Sequence, residues 1–262
     1  MPKSELPSVV DKTDYRYASP FDQLPQDFPT SLQNFSGNAS SVLSGLKGLL
    51  DNPDTEESKI KRVFLPPRLV WAAANYKIRM GMPESEKFML EAIKLAMAFY
   101  EGSATTSSVD KFTDRVENEI PDFQDQEVSQ VEDSVTWWGS SPHYSDRTAR
   151  KMLHKCGYGD VLLIALGQGG VAAGMDVFLR YRALSFTRNS VFYTARLSMH
   201  KVHDEAPQLE DSEIDFLKEA AKGKNIVLFD EDTSSGETMR KAVEFFGTKF
   251  EGRRVIEIVN SC

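Results

Sequence analysis

Cysteine is scarce in this chain. Cys156 and Cys262 are the only two, too few for a disulfide framework, and no His/Cys/Asp/Glu group has metal-site spacing. Basic residues are outnumbered: 31 Lys and Arg stand against 39 Asp and Glu, a formal charge of −8. The cationic face that nucleic acid requires is missing, so no nucleic-acid partner is expected. No apolar run approaches the roughly 20 residues of a membrane span, so no membrane partner is expected either. The first residues, Met1-Pro2-Lys3-Ser4-Glu5-Leu6-Pro7, lack an apolar h-region. No signal peptide is read there, and a cytoplasmic location is expected. There are no internal repeats.

What is present suits a globular protein. The 262 residues are 40% apolar and 27% charged, enough for one large domain or two small ones. Charge is unevenly spread. Residues 101–133 hold ten acids against Lys111 and Arg115, a local net charge of −8, so the rest is near neutral. That run reads as a solvated face.

Residues 1–38 are rich in Pro, Ser, Asp and Gln without periodicity and read as an extended or partly disordered arm. Residues 39–143 read as a mainly helical accessory region. Val42, Leu43, Leu46, Leu49 and Leu50 predict a helix over Ala39 to Leu50. A polar loop is expected over 51–59. Pro66-Pro67 is read as opening a helix that runs to Met80, with Gly81 as its C-cap. Phe88 to Tyr100 is apolar nearly all round, which predicts a buried helix.

From residue 144 onward the pattern alternates. A helix is predicted over Ser145–Lys155, then a strand over Val161–Leu166, a turn at Gly167-Gln168-Gly169-Gly170 and a helix over Val171–Tyr181. Strands are read over Ala183–Thr187 and Val191–Ser198, followed by a polar stretch, Met199–Asp211. Ser212 is read as capping a helix to Lys222. A strand over Ile226–Phe229, a helix over Met239–Phe246 and a strand over Arg254–Val259 complete the series. Strands alternating with helices mean βαβ units, hence an α/β fold with a parallel sheet in residues 144–262.

The stretch that concentrates the chemistry is Ile226-Val227-Leu228-Phe229-Asp230-Glu231-Asp232-Thr233-Ser234-Ser235-Gly236-Glu237-Thr238. Four apolar residues without alternation read as a strand buried on both faces. Carboxylates follow, then a hydroxyl-rich turn and a helix start, where free N–H groups bind anions. Acids beside an anion site fit a ligand that carries phosphate together with hydroxyls or a metal ion.

These thirteen positions resemble, without a gap, the phosphoribosyl-pyrophosphate (PRPP) motif of type I phosphoribosyltransferases. The acidic pair is Asp230-Glu231 and the loop Ser234-Ser235-Gly236-Glu237-Thr238. The resemblance implies a phosphoribosyltransferase-like parallel sheet and an enzyme that joins a nitrogenous base to PRPP with release of pyrophosphate. It implies Mg²⁺ as cofactor, held by Asp230 and Glu231, which also face the ribose hydroxyls. Asp232, Thr233, Ser234, Ser235, Gly236, Glu237 and Thr238 would surround the 5-phosphate. Gly167, Gln168, Gly169 and Gly170 match the family's pyrophosphate loop, except that the family's Arg or Lys near Gln168 is absent; Arg196 and Lys201 are the expected substitutes. His200 and His203 lie in the same polar stretch as Lys201. Base specificity in the family comes from a hood outside the core, and Trp137, Trp138 and Tyr144 are its candidates here. The partners implied are PRPP and a nucleobase-like molecule, with a homodimer left open.

Three other readings compete. Gly167-Gln168-Gly169-Gly170-Val171-Ala172 fits a relaxed dinucleotide pattern, but no acid follows about 20 residues on, around Thr187-Arg188-Asn189. Asp230-Glu231-Asp232-Thr233 resembles a haloacid-dehalogenase-type phosphatase motif, yet only 24 residues follow Thr238. A non-catalytic regulator that binds PRPP or a nucleotide is the remaining alternative.

Overall fold

The computed structural model describes residues 17–24, 34–130, 142–167, 169–197, 204–231 and 236–260. Four strands form a parallel sheet: β3 (Val161–Leu166), β4 (Val191–Ala195), β5 (Asn225–Asp230) and β6 (Val255–Val259), in the order β4-β3-β5-β6. Helices flank it. Ahead of it in the chain come α1 (Ala39–Asp51), α2 (Glu56–Met80), α3 (Ser85–Glu101) and α4 (Thr106–Glu119). A small antiparallel pair, β1 (Phe35–Asn38) and β2 (Glu127–Gln130), closes that region off. The remaining helices are α5 (Pro142–Cys156), α6 (Gly169–Ser185), α7 (Asp211–Ala221) and α8 (Glu237–Lys249). None of the described helices is long and apolar enough to cross a membrane.

The central strands β3 and β5 are unbroken apolar runs because both of their faces are covered. Phe192 of β4 packs on Phe178 of α6, while its neighbour Tyr193 packs on Phe216 of α7. Successive strand residues face opposite ways, so α6 and α7 lie on opposite faces. Gly174 lets α6 approach closely: a Cβ there would meet the Ala165 Cβ at 3.0 Å and the Phe229 ring at 3.1 Å.

Several expectations need correction. The helix read as opening at Pro66 starts ten residues earlier, at Glu56. The Thr55 hydroxyl accepts from the Ser58 amide (3.1 Å), and Glu56 and Glu57 complement the helix N-terminus. Pro66 and Pro67 therefore sit inside α2. Such prolines cost roughly 3 kcal/mol or more by removing a backbone donor. The carbonyl that Pro67 leaves without its helical partner is that of Val63, and the buried Tyr100 hydroxyl donates to it at 2.8 Å. Burial, then Asp176, raises the Tyr100 pKa and keeps it a protonated donor.

Ala183–Thr187 is no strand. α6 continues to Ser185 because Phe178, Leu179 and Tyr181 extend its buried face, and Phe186 ends it with φ 56°. α7 is capped by Glu210 rather than Ser212, through a reciprocal box with Glu213. The acidic α4 buries only Val109, Phe112 and Val116, which leaves its charges solvated as expected. Within the stretch read as an arm, residues 17–24 dock on the sheet's helices. Tyr17 donates to the fully buried Asp176 (3.0 Å), and Arg180 binds both Asp176 (3.0 Å) and Asp22 (2.7 Å).

The proline pair yields a prediction. Tyr100→Phe strands the Val63 carbonyl and costs about 1–3 kcal/mol of stability, read as a lower urea midpoint at unchanged m-value. An unchanged midpoint would mean that another donor serves that carbonyl.

Candidate functional site

The two glycine- and acid-bearing loops meet at one place. β3 and β5 are parallel neighbours, with Leu162 opposite Ile226 and Ala165 opposite Phe229. The chain leaves β3 for β4 on one side and leaves β5 for β6 on the other. Their carboxyl ends thus flank a topological switch point, the crevice where open α/β sheets bind ligands.

On the β3 side Gly167 turns the chain with φ 65°, a conformation that favours glycine. Its amide donates to the Ala195 carbonyl (3.1 Å), which ties the turn to the end of β4. α6 then begins at Gly169. On the β5 side Asp230 ends the strand. Its carboxylate accepts from the Glu231 amide (2.9 Å), and its carbonyl accepts from the amide of the buried Asn260 (3.0 Å). Gly236, in the left-handed conformation, caps α8, which begins at Glu237 and Thr238. Both helices direct free N–H groups toward this edge of the sheet.

The two sides touch. A Cβ on Gly170 would lie 3.6 Å from the Phe229 carbonyl oxygen and 4.0 Å from the Asp230 Cα. A Cβ on Gly169 would fall 1.5 Å from Oε1 of Glu231, so the carboxylate occupies the space a side chain at 169 would need. An acid over the first residue of a helix is favoured by the helix dipole. Gly169 has no positive φ; it is glycine here for room alone.

Asp230, Glu231, Gly167, Gly169, Gly170, Gly236, Glu237 and Thr238 are thus gathered on adjoining loops and helix starts. Arg196, one residue beyond β4, adjoins the Gly167 turn through the Ala195 carbonyl; its Nη2 binds Asp204 at 3.0 Å. Glu237 also pairs with Lys241 along α8 (3.7 Å). Tyr144 is half-buried in the first turn of α5, a helix that packs on α6 and β6. Trp137, Trp138, Gln168, Lys201, Asp232, Thr233, Ser234 and Ser235, with His200 and His203, lie outside the described residues. Sequence reading missed Asn260, which reaches Asp230 through the pairing of β5 with β6, and Asp204, which lies in the irregular stretch beyond Arg196.

Two neighbouring carboxylates suit Mg²⁺, a hard cation that commonly takes one or two carboxylates and completes its shell with water and ligand phosphate. Among the described residues no group of three or more His, Cys, Asp or Glu is arranged to hold a metal. A two-carboxylate seat of this kind does not need one. Compared with family models, curated proteins and solved structures, the chain matches none.

Gly169 and Gly174 of α6 should respond differently. Gly169→Ala meets only the mobile end of Glu231 and costs less than about 1 kcal/mol, whereas Gly174→Val overpacks the sheet and costs about 1–3 kcal/mol. Thermal unfolding of both variants checks this. Equal losses would show that the Glu231 carboxylate is as fixed as the core.

Proposed function

We propose that the carboxyl edge of β3 and β5 binds PRPP with Mg²⁺ and transfers its ribose 5-phosphate to a nitrogenous base. The observation that carries this reading is the meeting of Gly169 and Gly170 with Asp230 and Glu231 at a switch point. PRPP needs two phosphate cradles and, between them, acceptors for a diol. The starts of α6 and α8 supply the cradles, and Asp230 and Glu231 supply the acceptors.

In this scheme a ring nitrogen displaces pyrophosphate from C1 through a transition state of oxocarbenium character. N–H groups at the start of α8 hold the 5-phosphate, and Asp230 and Glu231 hold the ribose hydroxyls. The start of α6, with Arg196 and Lys201 in place of the family's loop cation, receives the pyrophosphate. Asp230 and Glu231 are also the residues that would hold Mg²⁺, which when bound neutralises charge on the leaving group. Glu231 now rests over Gly169, where an anion would enter. Pyrophosphate and that carboxylate repel each other there, so ligand entry and movement of Glu231 go together. Among the described residues the helical region is the large part outside the sheet's own helices, and it is the proposed source of the base hood, with Trp137, Trp138 and Tyr144.

A second reading is a non-catalytic regulator that binds PRPP or a nucleotide. The absence of Lys or Arg from Gly167–Gly170 favours it. The acidic pair favours the enzyme, since a phosphate sensor needs neither diol nor metal contacts.

Incubation with PRPP, Mg²⁺ and a panel of bases, followed by pyrophosphate release, separates the two. Release with at least one base is expected. The Asp230→Asn, Glu231→Gln double variant should melt cooperatively yet lose about 100-fold or more of its turnover, the scale of a removed transition-state contact. Tight PRPP binding without release for any base would leave the regulator.

A further inference from the structure

A buried charge cluster lies where α2 meets α7 and β4. Lys77, in the last turn of α2, is 1% exposed, and Glu213, in the first turn of α7, is fully buried. Their side chains form an ion pair. Glu213 also accepts from the Tyr193 hydroxyl (2.5 Å) and the Glu210 amide (2.9 Å). The lysine ammonium donates to the Gln208 carbonyl at 3.1 Å. Burial pushes the Lys77 pKa down, and Glu213 opposes that shift.

Such a pair is hard to explain as cement. Taking two charges out of water cancels most of their attraction, and apolar residues of the same volume commonly serve as well or better. A lysine is needed only if its ammonium does something a hydrocarbon cannot. Here that is the bond to Gln208. The Gln208 amide in turn donates to the Arg196 carbonyl (2.9 Å) in an isolated antiparallel bridge. Gln208 is thereby held on both sides, by Arg196 through its N–H and by Lys77 through its C=O. Arg196 stands at the end of β4, beside the Gly167 turn. Nη2 is engaged with Asp204, while its buried Nε–H has no acceptor among the described residues. A buried donor of that kind is costly unless a ligand or solvent oxygen meets it.

We infer that Lys77 is a positioning residue for Arg196: the helical region reaches into the sheet domain and, through Gln208, fixes the backbone of a cation that stands beside the Gly167 turn. This rests on the reading of the β3–β5 edge as a PRPP site. It makes the helical region part of the site's machinery as well as a source of specificity. A ligand that shifts α2 would then be felt at Arg196.

The test uses the full chain with Lys77→Met combined with Glu213→Gln. That variant removes both charges and the Gln208 donor but keeps an acceptor for Tyr193 and Glu210. The first readout needs no ligand: hydrogen exchange of the Arg196 Nε–H by NMR, its signal assigned by loss in Arg196→Lys. Exchange at least tenfold faster is expected, with the melting temperature within a few degrees of the parent. Unchanged exchange in a folded variant overturns the inference. If that variant does not fold, the all-apolar Lys77→Met, Glu213→Leu, Tyr193→Phe chain carries the same measurement. The second readout is calorimetric titration with inorganic pyrophosphate and Mg²⁺, where at least tenfold weaker binding is expected. Parent-like pyrophosphate affinity would also overturn the inference. Failure of the parent itself to bind pyrophosphate would instead overturn the PRPP reading, while the exchange rate still decides the role of Lys77.

Discussion

The candidate site depends on the in-register parallel pairing of β3 with β5 and the divergence of the chain beyond them. Pairing brings Ala165 opposite Phe229, so the next few residues of each strand emerge side by side. Divergence keeps their connections from covering the gap. Two helices then start at that edge, each with free N–H groups, and two carboxylates stand between them. Apolar burial on both faces holds the strands; Gly174 admits α6 to the sheet, and Gly169 leaves room for Glu231. Shifting either strand by one residue would turn its buried side chains the other way and separate the loops.

The helical region, the segment 17–24 and the sheet's helices are held by contacts that replace missing or costly local ones. Tyr100 of α3 supplies the donor that Pro67 cannot give Val63 in α2. Lys77 of α2 finds its counter-ion on α7 and its carbonyl partner at Gln208. Asp176 of α6, fully buried, is answered by Tyr17 and Arg180. Each of these polar groups draws at least one partner from another element, as burial demands. The elements so joined are therefore expected to fold together.

The sequence was most legible where one physical rule acted alone. The predicted strand Val161–Leu166 matches β3 residue for residue, because an unbroken apolar run bounded by polar and glycine residues has few other uses. The buried helix over Phe88–Tyr100 was equally plain. Errors arose where two local signals competed. Pro66-Pro67 outweighed the start signal Thr55-Glu56-Glu57-Ser58, yet the distant Tyr100 hydroxyl makes the prolines tolerable. Ser212 looked like a cap, but Glu210 and Glu213 form the reciprocal pair. At the site, the residues of the two loops were identifiable, and their meeting follows from the βαβ order. Glu231 resting over Gly169, Asn260 backing Asp230 and Lys77 reaching Gln208 were not legible. These are contacts between single residues on separate elements, with no periodic trace in the sequence.

The central claim is that the two strand ends form one site for one ligand with phosphates at both ends. Calorimetric titration of the full chain with PRPP, ribose 5-phosphate and pyrophosphate, each with Mg²⁺, tests it most directly. A bipartite site predicts PRPP affinity about 100-fold or more above either part, since linking the parts avoids a second loss of rigid-body freedom. PRPP binding no tighter than pyrophosphate alone would contradict it.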